Sequence, residues 1–165
     1  MAQPFIFQPK DIVLVACVAG KAVDPAPAKD LYRSDWFAKA RAFAEASGKP
    51  WMILSALHGA IDPDKVIAPY DASMRDKSKF ERRAWASIVS DQVQPISYGC
   101  DRVILIAGRD YRDPLAADDI FKWRNPRQLA PMEGLGIGHQ KQWLANMGAT
   151  PAAPAQLDLF ERKAA

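Results

Sequence analysis

Three short apolar runs, separated by stretches of helical periodicity, constrain this chain more than any other feature. Residues 12–17 (IVLVAC), 51–55 (WMILS) and 102–107 (RVILIA) are apolar without alternation, which is the pattern of strands buried on both faces. After the first run, Ser34 stands where it can cap a helix with the stripe Trp36, Phe37, Ala40, Phe43 and Ala44; Gly48 and Pro50 stop it. After the second, residues 79–93 read as a helix that buries Ala84, Trp85, Ile88 and Val89, with Pro95 beyond its end. The spacing further predicts a short helix over 114–121, an edge strand over 129–132 and a last helix over 138–147, ended by Gly148. Strand, helix, strand, helix, strand predicts an α/β fold: a three-layer, mostly parallel, Rossmann-like sheet with helices on both faces, occupying residues 1–148.

At residue 149 the composition changes. Residues 150–155 (TPAAPA) form a Pro/Ala linker expected to be extended, which makes 149–165 a flexible tail. The linker presents Gln156, Leu157, Asp158, Leu159 and Phe160. This QLDLF segment resembles, at all five positions, the motif by which bacterial proteins dock on the DNA sliding clamp. The resemblance implies a partner, the beta clamp of DNA polymerase III. Leu159 and Phe160 would fill an apolar pocket on it, at ~1.5–3 kcal/mol each, with Leu157 adding contact and Gln156 a hydrogen bond. The alternative is a short helix packed back on its own domain, which two prolines and the lack of apolar periodicity disfavour.

Other classes are excluded by what the chain lacks. No run approaches the ~20 apolar residues of a membrane helix, and the first residues lack the basic and apolar regions of a signal peptide. The expectation is a cytoplasmic, nucleoid-associated protein with no membrane partner. Cys17, Cys100 and the two histidines lie far apart in sequence, without zinc spacing, so neither a metal nor another cofactor is expected. Gly20-Lys21 is not a phosphate-binding loop, Gly134, Gly136 and Gly138 lack dinucleotide spacing, and no serine elbow is present. A net charge of +3 does not by itself mark a nucleic-acid binder. Two local clusters are more suggestive: Arg75, Lys77, Lys79, Arg82 and Arg83, and Lys122, Arg124 and Arg127. Either can equally be a solvated face.

In parallel sheets, ligands lie beyond the carboxyl ends of the strands. The polar segments there supply the candidates. His58 can exchange protons near neutral pH. Asp30 and Asp62 can activate water, and Tyr32 and Tyr70 can stack on a base. Lys21, Arg109 and Arg112 can hold phosphate. Cys17, Ser34, Ser55, Tyr111 and Glu133 complete the substrate-binding set. Each has a plainer role open to it: His58 in a tight turn, Cys17 as core filler, Asp30 and Asp62 as turn formers, Tyr70 as packing.

Residues 54–74 (LSALHGAIDPDKVIAPYDASM) resemble a stretch of the YaaA peroxide-stress proteins. Residues 30–37 and 133–138 (EGLGIG) resemble a smaller bacterial family of unassigned activity, distantly similar to YaaA. YaaA proteins bind DNA and are linked to oxidative damage, so the resemblance implies DNA as a partner independently of the tail. His58 stands where YaaA tends to have tyrosine, and the helical DNA-binding insertion of YaaA has no counterpart. The expectation is a DNA-repair or base-processing hydrolase recruited by the clamp, glycosylase-like, with His58, Asp30 and Asp62 as its catalytic residues. The alternatives are a non-catalytic DNA-binding adaptor, and an enzyme of small nucleotides or nucleosides.

Overall fold

The computed structural model describes residues 4–117, 120–121 and 125–148. Lys122 and Arg124 of the second basic cluster, the linker, and Gln156, Leu157, Asp158, Leu159 and Phe160 lie outside the described residues.

The elements in chain order are β1 (Asp11–Ala16), β2 (Ala26–Pro27), α1 (Ala28–Leu31), α2 (Asp35–Ala46), β3 (Trp51–Ser55), β4 (Gly59–Ile61), β5 (Val66–Ile67), α3 (Lys79–Val93), β6 (Arg102–Ile106), α4 (Arg109–Leu115), β7 (Arg127–Leu129) and α5 (Ile137–Gly148). Five of the strands make one sheet in the order β4-β3-β1-β6-β7. It is parallel except for β4, which folds back antiparallel on β3. β2 and β5 form a small antiparallel ribbon. The fold is therefore α/β with a mostly parallel sheet and helices on both faces, as the alternation of runs predicts.

The missing alternation in the apolar runs is explained by what covers each face. Val13, Val15, Ile53, Ile104 and Ile106 point to one side, under Phe37 and Phe43 of α2 and Leu144 and Met147 of α5. Ile12, Leu14, Leu54, Val103 and Leu105 point to the other, under Trp85, Val89 and Val93 of α3 and Leu115 of α4. With two buried faces, a period of two in side-chain direction leaves no polar positions. Ser34 caps α2 as its sequence predicts, its hydroxyl accepting from Phe37 N at 2.9 Å. Gly48, at φ +65°, ends that helix in the left-handed region.

Three expectations need adjustment. α3 has the predicted bounds, but it buries Trp85, Ala86, Val89, Ser90 and Val93, whereas Ala84 and Ile88 face out. The helix after β6 starts at Arg109, directly after Gly108, not at Pro114, and Pro114 falls in its last turn. The far edge strand is Arg127–Leu129, set by pairing of Arg102 with Arg127 and of Ile104 with Leu129. Among the described residues, no helix is long and apolar enough to cross a membrane.

Candidate functional site

β1 leads through α2 to β3 on one side of the sheet, and β6 leads through α4 to β7 on the other. The chain's direction thus reverses between β1 and β6, and the gap beyond their carboxyl ends is the switch point where such sheets bind ligands. Cys17 follows β1 there. Its Sγ lies 3.2 Å from the Tyr111 hydroxyl, which reaches over from α4. Tyr111 stacks edge-on against Trp85, and Trp85 Nε1 donates to the Ser55 carbonyl at 2.8 Å, which ties α3 to the end of β3.

Ser55 organises the next part. Its oxygen is fully buried and accepts from two backbone amides, Leu57 N at 3.2 Å and His58 N at 3.0 Å. A hydroxyl has two lone pairs and one proton, so the proton is left for the Tyr70 hydroxyl at 2.6 Å. Tyr70 in turn meets the Tyr32 hydroxyl at 2.7 Å. In the Tyr70–Tyr32 contact either hydroxyl can donate, since a phenol both gives and accepts. Tyr32 is carried there by a short antiparallel pairing with the segment after β1: Ala22 N donates to Leu31 O and Arg33 N to Gly20 O, both at 2.8 Å. Gly20 is required by this approach, since a Cβ on it would sit 2.6 Å from the Arg33 carbonyl oxygen. Lys21 then places its ammonium 4.5 Å from the centre of the Tyr70 ring and 5.8 Å from that of Tyr32.

Burial sets the charge state of this cluster. It pushes the Tyr32 phenol up to about 12. Burial also raises Tyr70 and Tyr111, and negative charge on the nearby Cys17 thiol would raise both further. At neutral pH all three are uncharged, so the cluster presents hydroxyls and one cation. His58 lies edge-on to Tyr70 with ring centres 5.2 Å apart. Partial burial, and then the positive charge of Lys65, lower its pKa, which keeps the imidazole neutral and able to accept a proton at pH 7.

Gln92 of α3 is a positioning residue that sequence reasoning missed. Its Oε1 accepts from Ala60 N at 2.6 Å and its Nε2 donates to the His58 carbonyl at 2.9 Å, so one amide spans the turn that carries the histidine. Gly59 between them adopts φ +76°, and a Cβ there would meet Gln92 Oε1 at 2.2 Å. The His-Gly pair is the sequence signal for such a turn; nothing in the sequence points to Gln92.

The structure thus brings together Cys17, Lys21, Tyr32, Ser55, His58, Tyr70 and Tyr111. Arg112 lies on the β6 side, its Nε donating to the Ala107 carbonyl at 3.1 Å and its guanidinium 2.8 Å from Glu133, whose carboxyl it holds below the usual range. Arg109 is exposed and 3.5 Å from Asp113. Three expected residues are engaged elsewhere. Asp30 pairs with Arg41 at 2.6 Å, Asp62 closes its own turn by accepting from Asp64 N at 2.8 Å, and Ser34 caps α2. Among the described residues, no group of three or more His, Cys, Asp or Glu side chains can hold a metal ion.

A family described as "Family of unknown function (DUF6884)" matches residues 12–146. No curated protein matches the chain.

Proposed function

We propose that this chain, which belongs to the DUF6884 family of unknown function, is a DNA-repair or base-processing protein recruited to the bacterial sliding clamp through its QLDLF tail, Gln156 to Phe160. The observation that carries the reading is the strand-end cluster itself. Neutral phenols at Tyr32 and Tyr70, the Lys21 ammonium and the His58 imidazole together suit a planar heterocycle with exocyclic acceptors, joined to an anionic backbone. The likeness of residues 54–74 to YaaA supports the link to DNA, and the linker supports delivery by local concentration: a weak peptide dock and a weak DNA contact reinforce each other when joined in one chain.

In a glycosylase-like reaction the bond between sugar C1′ and the base nitrogen breaks, water oxygen bonds to C1′, and one water proton must leave. Neutral His58 is suited to take that proton, and the Tyr32 hydroxyl to hydrogen-bond the departing base. The first test is binding of the full chain to a purified clamp, beside the double variant Leu159→Ala, Phe160→Ala. Binding by the first and not the second is the expected result; equal behaviour of the two sinks clamp recruitment. The second test is base release from a panel of damaged, uracil-containing and modified duplexes. Release unchanged by both His58→Ala and Tyr32→Phe would remove those roles.

One observation favours a second reading, a DNA-binding adaptor without turnover. Asp30 and Asp62, the carboxylates expected to activate water, are occupied by Arg41 and by a turn. Salt-sensitive DNA affinity with no product on any substrate would select that reading.

A further inference from the structure

α3 carries two apolar stripes. Trp85, Ala86, Val89 and Val93 form the one that meets the sheet. Phe80, Ala84 and Ile88 form the other and face outward, with Phe80 82% and Ile88 52% exposed. Phe80 is not on a frayed end. A capping box fixes this turn: the Ser78 hydroxyl accepts from Glu81 N, and the Glu81 carboxylate accepts from Ser78 N at 2.7 Å. Leu57, 54% exposed, stands opposite in the turn after β3. Between the two lies a groove of about 250 Å³, whose wall includes His58 and Trp85.

Lys77 lines this groove and also a second one, of about 410 Å³, between the start of α3 and α4. Among the described residues, the second groove is lined by Lys77, Lys79 and Arg82 together with the carboxylate of Asp113, which Arg109 engages. Arg82 is braced in place by its bond to the Lys77 carbonyl, at 3.1 Å, and by Asp110 at 3.6 Å. The amino end of a 15-residue helix adds partial positive charge to the same spot.

We propose that the two grooves form one track for an unpaired DNA strand: the cationic groove holds its phosphates, Phe80 stacks on a base, and the strand is led past His58 toward the hydroxyl cluster. The proposal rests on the reading of the chain as DNA-acting and deepens it by assigning the surface. A free phosphate or a phosphorylated side chain would use the cations and leave Phe80 in water. A paired duplex would offer Phe80 no open base face. Stacking on an aromatic ring beside a basic groove is the recognition mode of single strands, and it is tolerant of sequence.

The test is fluorescence anisotropy of a labelled 15-nucleotide oligothymidylate with the full chain, over a salt series. The wild type should bind with salt-dependent affinity. Phe80→Ala should weaken binding about 5- to 100-fold with the salt slope unchanged, because a neutral stacking contact is lost. The pair Lys77→Gln, Lys79→Gln should flatten the slope of log affinity against log salt by about 1.4, or about 0.7 for each cation. All three side chains lie outside the apolar core, so unchanged thermal midpoints certify the fold of each variant. Binding retained at full strength in both variants overturns the track while leaving clamp recruitment and base processing to stand on their own assays. Failure of the wild type to bind the oligonucleotide at all also overturns the track, and the DNA reading then rests on base release from duplexes and on clamp binding.

Discussion

The Ser55 oxygen holds two amides and one phenol while fully buried, so its worth exceeds that of an average hydroxyl. Replacing it by alanine removes a buried acceptor and leaves the Leu57 and His58 amides unsatisfied. Ser55→Ala should cost about 1–3 kcal/mol, read as a lower urea midpoint with unchanged slope. The phenols it orders give a second expectation, with a sign fixed by linkage. Tyr32 ionises at about 12 in the folded chain against an ordinary 10, so the folded state binds its proton more tightly than the unfolded state. That contribution is complete below pH 10 and is lost as pH rises through about 12, and Tyr70 and Tyr111 act in the same direction. Stability should therefore fall steeply above pH 10, with phenolate absorbance appearing on unfolding. Stability that stays flat from pH 9 to 12 would contradict the burial of the cluster. Most of this site could be read beforehand, because Cys17, Ser55, His58 and Tyr111 follow strands closely in sequence. The places of Asp30 and Asp62 could not. A short carboxylate takes whichever donor is nearest, and the donors here, Arg41 and the Asp64 amide, are set by a neighbouring helix and by local turn geometry.

At the level of elements, the period of a helix is readable but its rotation about its axis is not. α3 shows why. Both of its stripes are apolar, and only the position of the sheet decides that Val89 goes inside and Ile88 outside. Strand positions suffer less from this ambiguity, and residues 51–55 are readable in full because a doubly buried run has no wrong face. β4 is illegible for a different reason: three residues following a turn carry too little pattern to be distinguished from loop. The capping box of α3 was equally legible in principle, since Ser78 and Glu81 have the required spacing. Ser78→Ala should destabilise the chain by about 1 kcal/mol and fray the first turn, seen as faster amide exchange at Phe80 and Glu81. If the track proposed above is correct, the same change should weaken oligonucleotide binding, although it touches no charge and no ring.

Across the whole molecule, the amino-terminal segment is held by Phe5 and Phe7 against Phe43 and Trp143 and by an ion pair at the start of the sheet. Asp11, almost fully buried at the start of β1, receives Arg102 Nε at 2.7 Å from the start of β6 and Gln8 N at 2.7 Å, while Arg102 also reaches the Ile6 carbonyl at 3.1 Å. The pairing raises the pKa of the guanidinium and keeps it charged. Asp11→Ala would strand that charge and release the segment carrying Phe5 and Phe7 from Phe43. A loss of about 3 kcal/mol is expected, at the low end for broken buried pairs because Arg102 keeps some contact with water. A calorimetric midpoint matching that of the wild type would deny the pair this role. The outer strands of the main sheet have a consequence of another kind. β4 is three residues long and packs beneath α3, and β7 is three residues long and begins with the exposed Arg127. Neither margin offers an extended row of free amides and carbonyls to a neighbouring molecule. The strongly β-prone runs at the centre of the sheet are thereby kept from templating fibres, and the protein should stay monodisperse at concentrations where an open-edged sheet would precipitate.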